Sequence, residues 1–279
     1  MATEDDPQRW YCTNLVGLSS SLLASTAFNR HPRSLCIHGT RAANPGLFRL
    51  LESCRAQDEA AEVFQHYMAL QFNLADSRRE AGETGYRSSS YVELLRGWGF
   101  DSSSPQGAVL KGWVESRFGL LPVFHGERLE RFPSPAWVRY LEEKYHSRFH
   151  NNCIQLQLDM LYEYCQWSLA RFGDGSRNTS DHSAGHVSLW RGSNDCECQL
   201  VEGRLRDGCC VMRLNNLVSF SSRPDAAEVF GDWLLQAAVP HTKMLLFPGL
   251  LADSVLRSEG EYLVIGGCYE VDTHRGWPH

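Results

Sequence analysis

Two glutamates, Glu259 and Glu261, stand two apart in "RSEGEYLVIGG", at the entrance to an apolar run. On a strand, residues two apart face the same side, roughly 6.5 to 7 Å from each other. Carboxylates that close repel, so each wants a cation or a polar partner nearby. At the end of a strand such a pair looks into a cleft or into water. The plain alternative is a solvated pair that guards a strand edge against pairing with another chain.

Two further marks lie upstream. Arg191 ends the run "HVSLW" and is followed by Gly192. A guanidinium matches phosphate in a bidentate manner, and a glycine beside it permits close approach. Ser219 and Ser221, in "NNLVSFSS", are again two apart and flank Phe220. A hydroxyl both donates and accepts, so it can steer a carboxylate. Alone, Arg191 reads equally as a surface charge and the serines as a turn. Together, a phosphate ligand, a hydroxyl and a carboxylate pair could line one cleft.

Strands must carry these residues. After the polar stretch "GDGSRNTSDHSAG", the runs "HVSLW", "CCVMRL", "NLVSF", "KMLLF", "EYLVIGG" and "CYEV" predict short strands. One helix is expected among them, over "SRPDAAEVFGDWLLQAA". Ser222 and Asp225 form its capping box, and Ala226, Val229, Phe230, Trp233 and Leu234 its apolar stripe.

The preceding residues are mainly helical in pattern, for instance Val63, Phe64, Tyr67 and Met68. Ser134 and Pro135 open a helix whose apolar face is Trp137, Val138, Leu141 and Tyr145. Leu158, Leu161, Cys165 and Leu169 stripe another, which stops at Gly173. The Gly-, Ser- and Trp-rich stretch from Tyr86 to Pro122 receives no assignment. The fold class is therefore α+β: a mainly helical region over 1–154, then a β core over 155–279, packed as one unit.

The net charge of −6 argues against a nucleic-acid partner. No apolar run reaches the roughly 18 residues of a membrane span, and "MATEDDPQRW" lacks the basic and apolar segments of a secretory signal. A cytoplasmic protein is expected. Its ten cysteines show no repeating pattern. The nearest cluster is Cys196, Cys198, Cys209 and Cys210, whose spacing is not that of zinc ligands, so no metal is expected. Neither G-x-G-x-x-G after a strand nor a P-loop occurs, so a nucleotide would be held another way.

The order "WRG", "SFS" and "EGE" resembles the mono-ADP-ribosyltransferases of the arginine–serine–glutamate class. The segments "CTNLVGLSS", "LLRGWGFDS", "GAVLKGWVESRFGLLP", "RFHNN", "YEYCQWSL" and "RLNNLVSFSS" extend the likeness over nearly the whole chain, to the bacterial dinitrogenase reductase ADP-ribosyltransferases. That resemblance implies residues 155–279 as the catalytic core, NAD as donor and an arginine of the nitrogenase iron protein as acceptor. It also implies a PII-type nitrogen-signalling protein as regulator. Arg191 and Gly192 would meet the NAD phosphates or an adjoining ribose hydroxyl. Ser219, with Phe220 and Ser221, would place the nicotinamide ribose and hold the catalytic glutamate. Glu261 would bind the ribose 2′-hydroxyl, and Glu259 would face the acceptor guanidinium. Phe220 stands where the family usually has threonine, which leaves Ser221–Ser222 as an alternative source of the active hydroxyl. "PGLLADSVLRS" occupies the place of the acceptor-recognition loop. An NAD glycohydrolase and a non-catalytic nucleotide- or redox-sensing module are the competing readings.

Overall fold

The structure is a computed structural model that describes residues 14–74, 89–129, 132–173, 185–194, 196–252 and 260–275. Cys12, Glu259, residues 253–258 of the expected recognition loop and residues 174–184 of the polar stretch lie outside the described residues.

Short helices come first: α1 (Ser20–Leu23), α2 (Thr26–Arg30), α3 (Thr40–Ala43) and α4 (Pro45–Glu52). The longer α5 (Gln57–Phe72), α6 (Tyr91–Trp98) and α7 (Pro105–Phe118) follow. A two-residue hairpin, β1 (Val123–Phe124) and β2 (Glu127–Arg128), leads to α8 (Pro135–His146) and α9 (Asn152–Phe172). The remainder is β3 (His186–Ser193), α10 (Cys196–Gln199), β4 (Leu200–Gly203), β5 (Cys209–Ser221), α11 (Pro224–Glu228), β6 (Trp233–Pro240), β7 (Met244–Leu246) and β8 (Glu261–Arg275).

The helix starts follow local chemistry. Ser104, Ser134 and Asn151 each accept a backbone N–H of the first turn through a side-chain oxygen, at 3.1, 3.3 and 2.9 Å. Proline stands in the first turn of α7 and α8, where its missing N–H costs nothing. Helix α9 ends before Gly173, as its pattern predicts, and buries Leu158, Leu161, Cys165 and Leu169. On α8 the buried residues are instead Ala136 and Tyr140, while Val138 and Tyr145 are exposed. The unassigned stretch forms α6 and α7. Helix α7 is buried on nearly every side, from Gly107 to Val114, so it shows no polar face to read.

The six-stranded sheet runs β4-β5-β3-β6-β8-β7, and an added β5–β8 pairing closes β3, β5, β8 and β6 into a ring. All of these pairings are antiparallel. Two pairs of expected strands are each one long strand. "CCVMRL" and "NLVSF" join as β5, and "EYLVIGG" and "CYEV" join as β8. The break in pattern within β5 is a bulge, a register shift between Leu214 and Leu217. Asn215 and Asn216 occupy it and turn their amides outward to the helical half. Asn215 bonds Val123 N and O at 2.9 and 2.8 Å, and Asn216 Nδ2 donates to Lys111 O and Leu120 O, both at 2.9 Å.

The expected helix over Ser222–Ala238 is corrected by the structure. Helix α11 ends at Glu228, and Trp233–Pro240 is strand β6. Ser222 makes no capping box: the helix begins after Arg223, with no side-chain cap. Gly231 is the breaking point, because its backbone lies against that of Ser193, where a Cβ would overlap. Beyond it, Leu235, Ala237 and Val239 alternate into the core, a period of two that a helix cannot satisfy. Val229 and Phe230 are left exposed.

One apolar cluster spans both halves, taking in Phe64, Trp113 and Leu158 from the helices and Leu189, Val218 and Ile265 from the strands.

Candidate active site

Strand β5 brings the serines to the end of β8. Ser221 is paired across the ladder with Glu261, and Ser219 with Leu263. Directly paired residues project to the same side, so Ser219, Ser221 and Glu261 share a face. Phe220 alternates away. It is 2% exposed, its ring 6.1 Å from that of Tyr269, and so its side chain belongs to the core rather than to the cleft.

Strand β3 supplies Arg191 beside β5. Its Nη1 donates to the Ser219 carbonyl oxygen at 2.8 Å. The residue as a whole is only half-buried, but its Nε is sealed from solvent and has no hydrogen-bond partner. Burial lowers its pKa from the ordinary value, while nearby Cys196 and Glu261 oppose that shift. A guanidinium held beside a carboxylate and a serine is suited to a bound oxyanion.

The glycines of the motifs have backbone reasons. A Cβ on Gly192 would overlap the Ala227 carbonyl oxygen, so this glycine lets α11 lie over the end of β3. Gly260 has φ +80°, and a Cβ there would come within 2.5 Å of Ser222 Oγ. Its carbonyl accepts the Ser222 backbone N–H at 2.9 Å. The turn into β8 is thus clasped to the end of β5, and Glu261 follows from a fixed point. Ser221 Oγ accepts the Arg223 N–H at 3.0 Å.

Two residues that the motifs did not announce come from the helical half. Trp98, at the end of α6, donates its indole N–H to Ser219 Oγ at 3.0 Å. Lys111, 1% exposed on α7, sets its ammonium 5.8 Å from the centroid of the Trp98 ring and 5.3 Å from that of Phe124. Burial lowers its pKa to about 8; Asp101 raises it and Arg191 lowers it further. The sequence held one signal for it, a lone charge inside the apolar run "GAVLKGWV".

The four clustered cysteines differ in exposure: Cys196 and Cys210 are buried, and Cys198 and Cys209 exposed. Among the described residues no group of three or more His, Cys, Asp or Glu side chains could hold a metal. Nor is any described helix long and apolar enough to cross a membrane.

Residues 13–273 match the family described as dinitrogenase reductase ADP-ribosyltransferase. The chain is also similar to the NAD(+)–dinitrogen-reductase ADP-D-ribosyltransferase of Rhodospirillum rubrum. The two are 46% identical over 274 residues, which is 96% of each chain. No solved structure matches it.

Proposed function

The chain belongs to the dinitrogenase reductase ADP-ribosyltransferase family, and from that premise we propose how its site moves ADP-ribose from NAD to an arginine of the nitrogenase iron protein. It is a transferase that uses NAD as a substrate. The observation that carries the proposal is the meeting of Arg191, Ser219 and Glu261 at the joined ends of β3, β5 and β8.

Arg191 binds the diphosphate through its guanidinium. Ser219, held by Trp98, orients the nicotinamide ribose and Glu261. The bond between nicotinamide and C1′ then breaks, and nicotinamide leaves as a neutral molecule. Positive charge grows on the sugar ring, as in glycoside cleavage. Glu261, bound to the 2′-hydroxyl, stabilises that charge more than it stabilises the ground state. A guanidinium nitrogen of the acceptor forms the new bond to C1′ and loses a proton to Glu259. A positioned base is required because free arginine scarcely deprotonates, with a pKa above about 12.

Leu250 is buried, and its carbonyl accepts the Tyr164 O–H at 3.1 Å. This bond tethers the start of the segment that we assign to acceptor recognition. The same reading takes the cytoplasm as the compartment and a PII-type signalling protein as regulator. Copurification of the two proteins tests the latter.

The decisive experiment incubates the protein with labelled NAD and iron protein, then maps the modified residue. Label on one arginine of the iron protein is the expected result. Release of nicotinamide without label on the iron protein would favour the glycohydrolase instead.

A further inference from the structure

Lys111 has a position that the mechanism above does not use. It is fully buried in α7, yet its ammonium rests on the faces of Trp98 and Phe124 rather than against a carboxylate. Asp101 acts on it electrostatically without forming an ion pair. A cation–π contact offsets only part of the cost of burying an ammonium. The helix is held in place from β5, since Asn216 bonds the Lys111 carbonyl at 2.9 Å. One indole ring separates the ammonium from Ser219, because Trp98 contacts both. Arg191 lies close enough to lower the lysine's pKa.

Two cations, one from each half of the chain, therefore act near Ser219. Like charges repel, and both are partly desolvated. Such an arrangement is costly in the free protein and favourable once an anion of charge −2 arrives. We infer that Lys111 is a second cation for the dinucleotide, attracting the diphosphate of NAD from behind the Trp98 ring while Arg191 binds it from the sheet. This rests on the ADP-ribosyltransferase reading of the site. It gives the helical half an electrostatic part in holding the donor, which the three strand motifs do not.

Isothermal calorimetry on the full chain tests it, with NAD, ADP-ribose and the phosphate-free nicotinamide riboside as ligands. Lys111→Met should weaken NAD and ADP-ribose by about tenfold or more, leave nicotinamide riboside unchanged, and raise the KM for NAD more than it lowers kcat. Equal weakening of all three ligands, or none, would overturn the role. The unaltered protein supplies a second measurement should that variant fail to fold. Its affinity for NAD should fall as pH rises through about 8, where the free lysine loses its proton. Asp101 and Arg191 are the charged groups that act on it, and the Trp98 and Phe124 rings carry no charge. Lys243, whose pKa is lowered to about 7, lies elsewhere, against Phe28 and Tyr269. A flat profile from pH 7 to 9.5 would overturn the inference. If the unaltered protein binds no NAD at any pH, the reading of the whole site fails; if it binds NAD and Lys111→Met binds it equally, only the lysine's role fails.

Discussion

At the scale of single residues, the two glutamates are proposed to divide the reaction, Glu261 meeting the sugar and Glu259 the acceptor. Glu261 opens β8, directly across from Ser221, and its charge reaches Arg191. Glu261→Gln keeps the shape and hydrogen bonding but removes the charge that opposes the oxocarbenium ion. Transfer should fall by about 10²- to 10³-fold or more, with an unchanged melting temperature. Full activity in that variant would remove Glu261 from the mechanism. Glu259→Gln should separate two outputs, losing label on the iron protein while nicotinamide release from NAD persists. Equal loss of both would place Glu259 on the sugar instead of on the acceptor. Arg191→Ala should weaken NAD binding by about ten- to hundredfold, read by calorimetry. It should also lower kcat, because the same side chain steadies the Ser219 backbone.

At the scale of elements, the site depends on close backbone crossings. Gly192→Ala would push a methyl into the Ala227 carbonyl and lift α11 from β3. Overpacking of this kind costs about 1–3 kcal/mol, measurable as a lowered urea midpoint. Much of this layout was legible in the sequence. Strand period placed Arg191, Ser219 and Glu261 at strand ends, and the cap at Ser134 marked a real helix start. Three features escaped local pattern. The bulge at Asn215–Asn216 made one strand look like two, since an extra residue inverts the alternation. Helix α7 is surrounded on all sides, so it has no periodic polar face. The run from Ser222 to Ala238 carries helical spacing, but sheet pairing of Leu235 to Thr273 and of Ala237 to Val271 outweighs that propensity. Trp98 and Lys111 lie on α6 and α7, both inside the unassigned stretch, which explains why the motifs alone did not reveal them.

At the scale of the whole molecule, the helical and sheet halves are bound by more than a shared boundary. Cys268 N donates to Ala24 O at 2.7 Å, tying β8 to the segment between α1 and α2. Tyr162, wholly buried on α9, donates to the Thr242 carbonyl at 2.8 Å. Residues 155–279 expressed alone should therefore fail to fold, because they leave the side of α9 that packs on α3, α5 and α6 without cover; circular dichroism and solubility would read this. A buried charge adds a pH dependence. Lys243 is wholly buried, bonds Gly266 O at 3.2 Å, and has its pKa lowered to about 7, mainly by burial. The unfolded chain holds that proton up to about pH 10.4, so between the two values it binds more protons than the fold. Stability from this group must then rise with pH from about 7 to about 10. Lys243→Met should flatten that part of a stability-against-pH curve.

The bond from Trp98 to Ser219 has an optical side. An indole whose N–H is bound beside a charged pocket emits according to that pocket's field and polarity. Its emission should therefore shift or quench when a dinucleotide enters, and the shift should vanish in Trp98→Phe, whose other seven tryptophans remain. The protein thus carries a native probe at the bond that joins α6 to β5.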